Sequence, residues 1–318
     1  MTSAATAGET HQIILILDDD LLVTEGLAAG LAGPRRTIIT CNDIESAEMV
    51  VEWMKPSHVV SDVRLSGAFS FEGLDFIRFV KRHSSDSRII LMTGDAPDAM
   101  QLEASERGAV AFLQKPFEVA ELEAILNLMA PFRVGAPDWP DIIRVPLLEA
   151  VLAGDNLYTV FQPVVRLTSG EAVGFEALTR LESESPLRNP ERLFRYAARK
   201  HRVADLEVEC IRHSLQAAAA LPPSAPVFLN VHPTVFSTAP QIRDVILSQA
   251  TLHDIQPSRI VLEITEQATF GDELRALTTI EGLKASEIRF ALDDVGVAYS
   301  HLPFIGRIRP AFIKISQH

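Results

Sequence analysis

Cysteine is nearly missing from this chain. Cys41 and Cys210 are the two in 318 residues. That leaves no disulfide framework and no zinc-type spacing, and it points to a reducing compartment. No apolar run approaches the roughly 20 residues that a membrane-spanning helix needs. The first residues, MTSAATAGETHQ, have no basic segment followed by an apolar one, so no signal peptide is read there. A cytoplasmic protein is expected. Basic residues are also in short supply, with 29 Lys and Arg against 42 Asp and Glu. The net charge of −13 argues against a nucleic-acid polymer, whose phosphates need basic partners, and against an anionic membrane surface. The deficit is uneven, at −10 for residues 1–130 and −3 for 131–318.

Apolar residues are plentiful at 47%, enough for conventional cores, and the length suits about two domains. What stands out is a row of polar residues set in or at the end of strand-like runs. Glu176 lies in VGFEALTRL, Asn230 ends VFLN, and Glu263 interrupts IVLEIT. Asp293 and Asp294 end FALDD, and Lys314 sits in FIKI. Burying one charge costs several kcal/mol unless it is paired or bound to metal. Four charge-bearing strands of five, with an amide in the fifth, predict a β/α barrel whose strand ends converge on a metal-dependent site.

In the first 130 residues, apolar strands alternate with amphipathic helix patterns, as in a doubly wound parallel sheet. IILIL (13–17) and HVVSD (58–62) each lead into acids. RIILMTG (88–94) ends in a hydroxyl, and VAFLQKP (110–116) ends in a lysine. Helical patterns lie between, for example LLVTEGLAAGLA and VAELEAILNLM. Ligands of such sheets bind beyond the carboxyl ends of the strands, where Asp18, Asp19, Asp62, Thr93 and Lys115 would meet. Three carboxylates there suit Mg²⁺, beside which one of them can act as a nucleophile toward a phosphoryl group.

This arrangement resembles the response-regulator receiver domain of two-component systems over residues 11–130. The resemblance implies a flavodoxin-like fold, with Asp62 in VVSDVRL as phosphoacceptor and Asp18 and Asp19 as the Mg²⁺-binding acidic pair. It makes Thr93 the switch hydroxyl, Phe112 the switch aromatic and Lys115 the active-site lysine, and it implies a sensor histidine kinase as partner. The segment after Asp62, LSGAFSFEGLDF, is longer than usual for the family. Residues 131–146, PFRVGAPDWPDIIRVP, are rich in proline and read as a short, semi-stiff linker.

Beyond the linker, YTVFQPVVRL and EAVGFEALTRL read as two strands joined by the turn TSG. A helix-rich stretch (190–220) follows, and after it come VFLNV, IVLEIT, IRFALDD and AFIKIS. FEAL, FLNV, LEITE, ALDD and IKI, in this order, are similar to the EAL-type cyclic di-GMP phosphodiesterase domain, here over 147–318. The resemblance implies a TIM-barrel-like (β/α)8 fold and two-metal hydrolysis of cyclic di-GMP to linear pGpG, with two Mg²⁺ or Mn²⁺ ions. Carried over to this chain, Glu176, Asn230, Glu263 and Asp293 hold the first metal, and Asp293 and Asp294 serve the second. Lys314 positions the attacking water, with Glu176 and Glu263 as its catalytic companions. Gln162 and Arg180 contact the ligand, and Glu266 anchors the loop after the two aspartates. A homodimer or higher oligomer is a family expectation.

Three departures bear on activity. Ser316 stands where the family's lysine strand usually carries an aspartate, and a neutral hydroxyl is a poor ligand for a divalent cation. The loop reads DDVGVAYSHL in place of DDFGTGYSSL, which brings in Val295, Val297 and His301. Residues 145–318 also hold six strand candidates against the eight of a closed barrel of roughly 250 residues. The EAL unit is therefore expected to lack its last strands, and with them a metal-binding glutamate and a ligand-contacting glutamine. Two functions follow as expectations, beside the blander one of a receiver carrying a non-functional remnant. One is a response regulator whose output hydrolyses cyclic di-GMP, impaired by these departures. The other is an inactive EAL module that senses cyclic di-GMP or binds a protein partner.

Overall fold

A computed structural model describes residues 11–65, 72–94, 98–128, 139–154, 156–239, 241–265, 272–295, 306 and 308–315. The chain divides into two compact units. The first runs to Leu148 and includes Ser183–Arg188, and the second holds Glu149–Glu182 and the residues from Asn189 onward. No helix among the described residues is long and apolar enough to cross a membrane.

In the first unit, strands and helices alternate as β1 (Gln12–Leu17), α1 (Leu21–Leu31), β2 (Arg36–Cys41), α2 (Ile44–Met54) and β3 (His58–Asp62). They continue as α3 (Glu72–His83), β4 (Arg88–Thr93), α4 (Asp98–Arg107), β5 (Ala109–Gln114) and α5 (Val119–Leu128). The parallel strands run β5-β4-β3-β1-β2, the doubly wound flavodoxin-like order. Every residue of β1 is buried, because helices cover both faces of a central parallel strand. Ile14, Ile16, Val60, Ile90 and Met92 pack on Leu27 and Leu31 of α1 and Leu122 and Leu126 of α5. At roughly 1.5–3 kcal/mol for each such side chain, this layer is a principal source of the unit's stability.

The polar punctuation between strand and helix is local. In the acidic triple 18–20, Asp20 caps α1 by accepting from Leu22 N at 2.8 Å. Asp43 caps α2 through Ser46 N, also at 2.8 Å. These caps satisfy helix N–H groups that would otherwise lack partners. Within the stretch read from sequence as linker, Ile142–Arg144 forms a further strand, β6, paired in parallel with β2. Three residues are too few to show periodicity, so no sequence pattern marks it.

The second unit opens with α6 (Leu148–Leu152) and the hairpin β7 (Leu157–Val165) and β8 (Ala172–Leu181). Gly170, with φ of +72°, supplies the left-handed residue of the turn between them. The order continues α7 (Pro190–Arg199), α8 (Val203–Ala218), β9 (Val227–Asn230), α9 (Val235–Thr238), α10 (Ile242–Leu252), β10 (Ile260–Thr265), α11 (Glu273–Ala285), β11 (Arg289–Val295) and β12 (Phe312–Ile315).

Strands β7 to β12 pair with their sequence neighbours in one six-stranded sheet. β7 is antiparallel to β8, and β8 through β12 are parallel, so the barrel-like succession starts with a hairpin rather than a parallel strand. The core lies between the sheet and its helices, where Leu229, Ile260, Leu262, Ile264 and Phe290 meet Ile211, Leu215, Phe236, Ile246 and Ile280.

Candidate functional sites

Each unit gathers charged side chains at the carboxyl ends of its parallel strands, and in each a lysine from a late strand or its exit holds the others together.

In the first unit, β1 runs straight into Asp18, β3 ends at Asp62, and Lys115 follows β5. Lys115 Nζ lies 2.6 Å from Asp18 Oδ2 and 3.1 Å from Asp62 Oδ1. Asp18 is 1% exposed, and Asn42 pins its backbone by donating to its carbonyl at 2.8 Å. Burial pushes the Asp62 carboxyl above the usual carboxylate range, while Lys115 pulls the other way. Burial by itself would lower the Lys115 ammonium, but its bonds and charge contacts with Asp18 and Asp62 hold it above the ordinary lysine value. Thr93 is buried at the end of β4, and its carbonyl accepts from Lys115 N at 2.7 Å. Phe112 is half-buried on β5 opposite Leu91. Asp19 is exposed beside this cluster.

The backbone approaches closely beside Asp62. A Cβ on Gly73 would lie 2.4 Å from Asp62 O and 2.8 Å from Val63 Cα, and Gly73 N donates to Val63 O at 3.2 Å. Only glycine fits there. Residues 66–71 of the long segment after Asp62 lie outside the described residues.

In the second unit, in-register pairing aligns the polar positions. Glu263 on β10 stands opposite Asn230 on β9 and Ala291 on β11, and Thr265 stands opposite Asp293. Lys314 reaches across the sheet, with Nζ 2.8 Å from Glu176 Oε2, 2.9 Å from Glu263 Oε2 and 3.8 Å from Asp293 Oδ2. Asn230 Nδ2 donates to Glu176 Oε1 at 2.8 Å, and Asp293 Oδ1 accepts from Asp294 N at 2.9 Å. Glu263 is 2% exposed. Burial pushes its carboxyl up to about 7 against the pull of Lys314. Its Oε1 is buried with no hydrogen-bond partner among the described residues.

The sequence-predicted residues thus separate into groups. Glu176, Glu263, Asp293, Asn230 and Lys314 form one connected network. Asp294 is exposed next to it, in the left-handed region with φ of +56°. Gln162 is exposed on β7, directly opposite Glu176 in the hairpin register. Arg180, on β8 beyond Glu176, donates to Thr179 O at 2.9 Å. Glu266, Val297, His301 and Ser316 lie outside the described residues.

The donor chemistry fits a hard divalent cation. The inward groups apart from Lys314 are carboxylates and one amide, and the unpartnered Glu263 oxygen leaves acceptor capacity unused. Among the described residues, no three acidic, histidine or cysteine side chains surround a single point as a ready cage. Lys314 stands among them instead.

A cavity of about 450 Å³ opens beside this network. Arg180, Phe194, Glu207, Asn230, His232 and Glu263 are among its lining residues. Glu207 is a site residue that the strand-end pattern did not reveal, since it lies on α8. It is 2% exposed, and its Oε1 accepts from His232 N at 2.6 Å in the loop that follows Asn230. Burial pushes its carboxyl up to about 8. The available signal was an acid on the same helical stripe as Cys210, Ile211 and Ser214, all buried.

Comparison with known proteins finds two families along the chain. The response regulator receiver domain family matches residues 14–127, and the EAL domain family matches residues 145–318. An uncharacterized signaling protein of Caulobacter vibrioides is 32% identical over 152 residues, which cover 48% of this chain and 19% of that protein. Cyclic di-GMP phosphodiesterase RocR of Pseudomonas aeruginosa is 24% identical over 308 residues, covering 91% of this chain and 76% of that one. A solved structure of a PaMucR phosphodiesterase in complex with c-di-GMP aligns over 51% of this chain and 69% of its own, with 23% identity and a TM-score of 0.45.

Proposed function

The chain belongs to the EAL domain family and carries a response regulator receiver domain ahead of it, and from that premise we propose a two-component regulator of cyclic di-GMP signalling. Phosphorylation of Asp62 by a sensor histidine kinase controls an EAL unit that binds cyclic di-GMP and hydrolyses it to linear pGpG. The observation that carries this reading is the convergence of Glu176, Asn230, Glu263, Asp293 and Lys314 from five successive parallel strands.

In the receiver, Asp62 is the nucleophile toward phosphorus. Lys115, already in contact with Asp62, offsets charge on the transferred oxygens, and Thr93 and Phe112 respond to the new group. Asp18, Asp19 and Asp62 would hold Mg²⁺.

In the EAL unit, Glu176, Asn230, Glu263 and Asp293 would hold one divalent ion, Mg²⁺ or Mn²⁺, and Asp293 with Asp294 a second. Such ions supply polarisation of a phosphate and a bound water of lowered pKa. Asn230 fixes the orientation of Glu176 through its hydrogen bond. Lys314 provides the ammonium that orients the attacking water and meets charge developing on phosphate oxygen. Gln162 and Arg180 hold the ligand, Arg180 from the cavity wall, and Glu266 anchors the loop after the aspartates.

A second reading, binding without turnover, is favoured by one specific residue. Ser316 offers a neutral hydroxyl where the family carries an acid, which weakens the hold on a second ion. Incubation with cyclic di-GMP and Mn²⁺, with products resolved by chromatography, separates the two. Linear pGpG that disappears in Glu176→Ala supports hydrolysis. Saturable binding of intact cyclic di-GMP, with turnover gained in Ser316→Asp, supports the second reading. Neither binding nor turnover by folded protein removes cyclic di-GMP as the ligand.

A further inference from the structure

The position of Lys314 has a consequence for how the EAL unit takes up metal. Its ammonium stands among carboxylates from β8, β10 and β11, within 2.8 and 2.9 Å of the Glu176 and Glu263 oxygens and 3.8 Å from Asp293. Of the three N–H donors of the ammonium, two are used by Glu176 and Glu263, while Asp293 is close enough for charge attraction alone. Glu263 is wholly buried at its side chain, and three acids brought together without a cation would repel one another strongly. Lys314 supplies that cation. Its long stem rises from β12, where it is half-exposed, so the head group has a route away from the acids.

A divalent ion bound to these carboxylates at about 2.0–2.6 Å, as through the unpartnered Oε1 of Glu263, would stand within a few ångströms of the ammonium, and two cations that close repel each other. The ammonium and the metal therefore compete for the negative charge of Glu176 and Glu263.

We infer that Lys314 is the resident counter-cation of the metal-free EAL site, and that metal loading displaces its ammonium from Glu176 and Glu263. The inference rests on the proposed EAL reading for the metal and on the contacts of Lys314 in the structure. Lys314 then has two states: it neutralises the acids before loading, and it is released by loading to act on water or phosphate. It also sets a threshold, because metal binding must compete with an internal charge.

The test compares the full-length chain with Lys314→Met, both in an Asp18→Asn background so that the receiver's acids do not contribute to metal binding. Without metal, Lys314→Met should melt at least about 5 °C lower, since it leaves partly buried acids unneutralised. Saturating Mn²⁺ should abolish that difference. By calorimetric titration, Lys314→Met should bind Mn²⁺ at least about 10-fold more tightly than the parent. Acetylation of Lys314 in the parent, followed by mass spectrometry, needs no substitution at the site. Lys314 should be protected without metal and become reactive as Mn²⁺ is added.

Equal melting temperatures without metal, or equal or weaker Mn²⁺ binding by Lys314→Met, would overturn the inference while leaving the EAL reading intact. Unchanged Lys314 reactivity on Mn²⁺ binding would do the same, and would stand even if Lys314→Met failed to fold. Mn²⁺ binding by neither protein would remove both the inference and the metal-dependent reading.

Discussion

Lys115 Nζ lies 3.1 Å from Asp62 Oδ1, although 53 positions separate the two residues in the chain, and the same ammonium is 2.6 Å from Asp18. Asp18 and Asp62 share burial and this ammonium, and the proposed phosphoacceptor is Asp62, the last residue of β3. Asp62→Asn is expected to abolish acid-labile phosphate incorporation from labelled acetyl phosphate. Labelling that persists at the wild-type level would move the phosphoacceptor to another residue.

Gly73→Ala should damage the receiver without touching any charged group. The added Cβ would fall 2.4 Å from Asp62 O, a clash with backbone that no rotamer relieves. The start of α3 or the Asp62 peptide has to move. A loss of about 1–3 kcal/mol in stability is expected, with phosphorylation slowed. Urea unfolding and the rate of acetyl phosphate labelling report the two effects, and wild-type values in both would show that the segment yields freely.

Glu207 makes the EAL unit's stability depend on pH. Its folded-state pKa, raised to about 8 by burial, stands far above the unfolded carboxylate value of about 4.3. The folded state holds a proton that the unfolded chain releases, so stability falls as pH rises through that window and levels off above it. Glu207→Gln imitates the protonated acid and removes the dependence. Its slope between pH 5 and 8 should be shallower by up to about 1.4 kcal/mol per pH unit. Denaturant midpoints at each pH provide the check; parallel wild-type and variant curves would mean that Glu207 is ionised in the fold.

Phe236 anchors the second core. It is 1% exposed, with its ring centroid 6.1 Å from that of Phe290 across the interface of α9 and β11. Phe236→Ala should cost about 3–5 kcal/mol, through lost transfer energy and an unfilled cavity. A shift of the second unit's unfolding midpoint measures it, and a cost under about 1 kcal/mol would show that the site collapses around the smaller residue.

Much of this architecture was legible in the residues. The runs 13–17, 58–62 and 88–94 are largely apolar because both faces of a parallel sheet are covered, and the strands Gln12–Leu17, His58–Asp62 and Arg88–Thr93 fall within one residue of them. The Thr-Ser-Gly turn marked the β7–β8 hairpin through the left-handed Gly170. Less visible was β6, whose three residues are held by pairing with β2 and by no pattern of their own. Glu207 was hidden for a different reason: an acid in a helix is ordinarily solvated, and only packing shows that this one faces inward.

The sequence by itself determined the two-unit order, the strand-end acids and the lysines that follow them, because periodicity and buried-charge chemistry act over a few neighbouring residues. Tertiary structure alone decided which charges meet. Asp20 became a helix cap while Asp18 turned to Lys115, and Lys314 joined Glu176 from 138 residues away. Those outcomes depend on strand order and register, which bring distant oxygens within about 3 Å of one ammonium and leave no local trace in the chain.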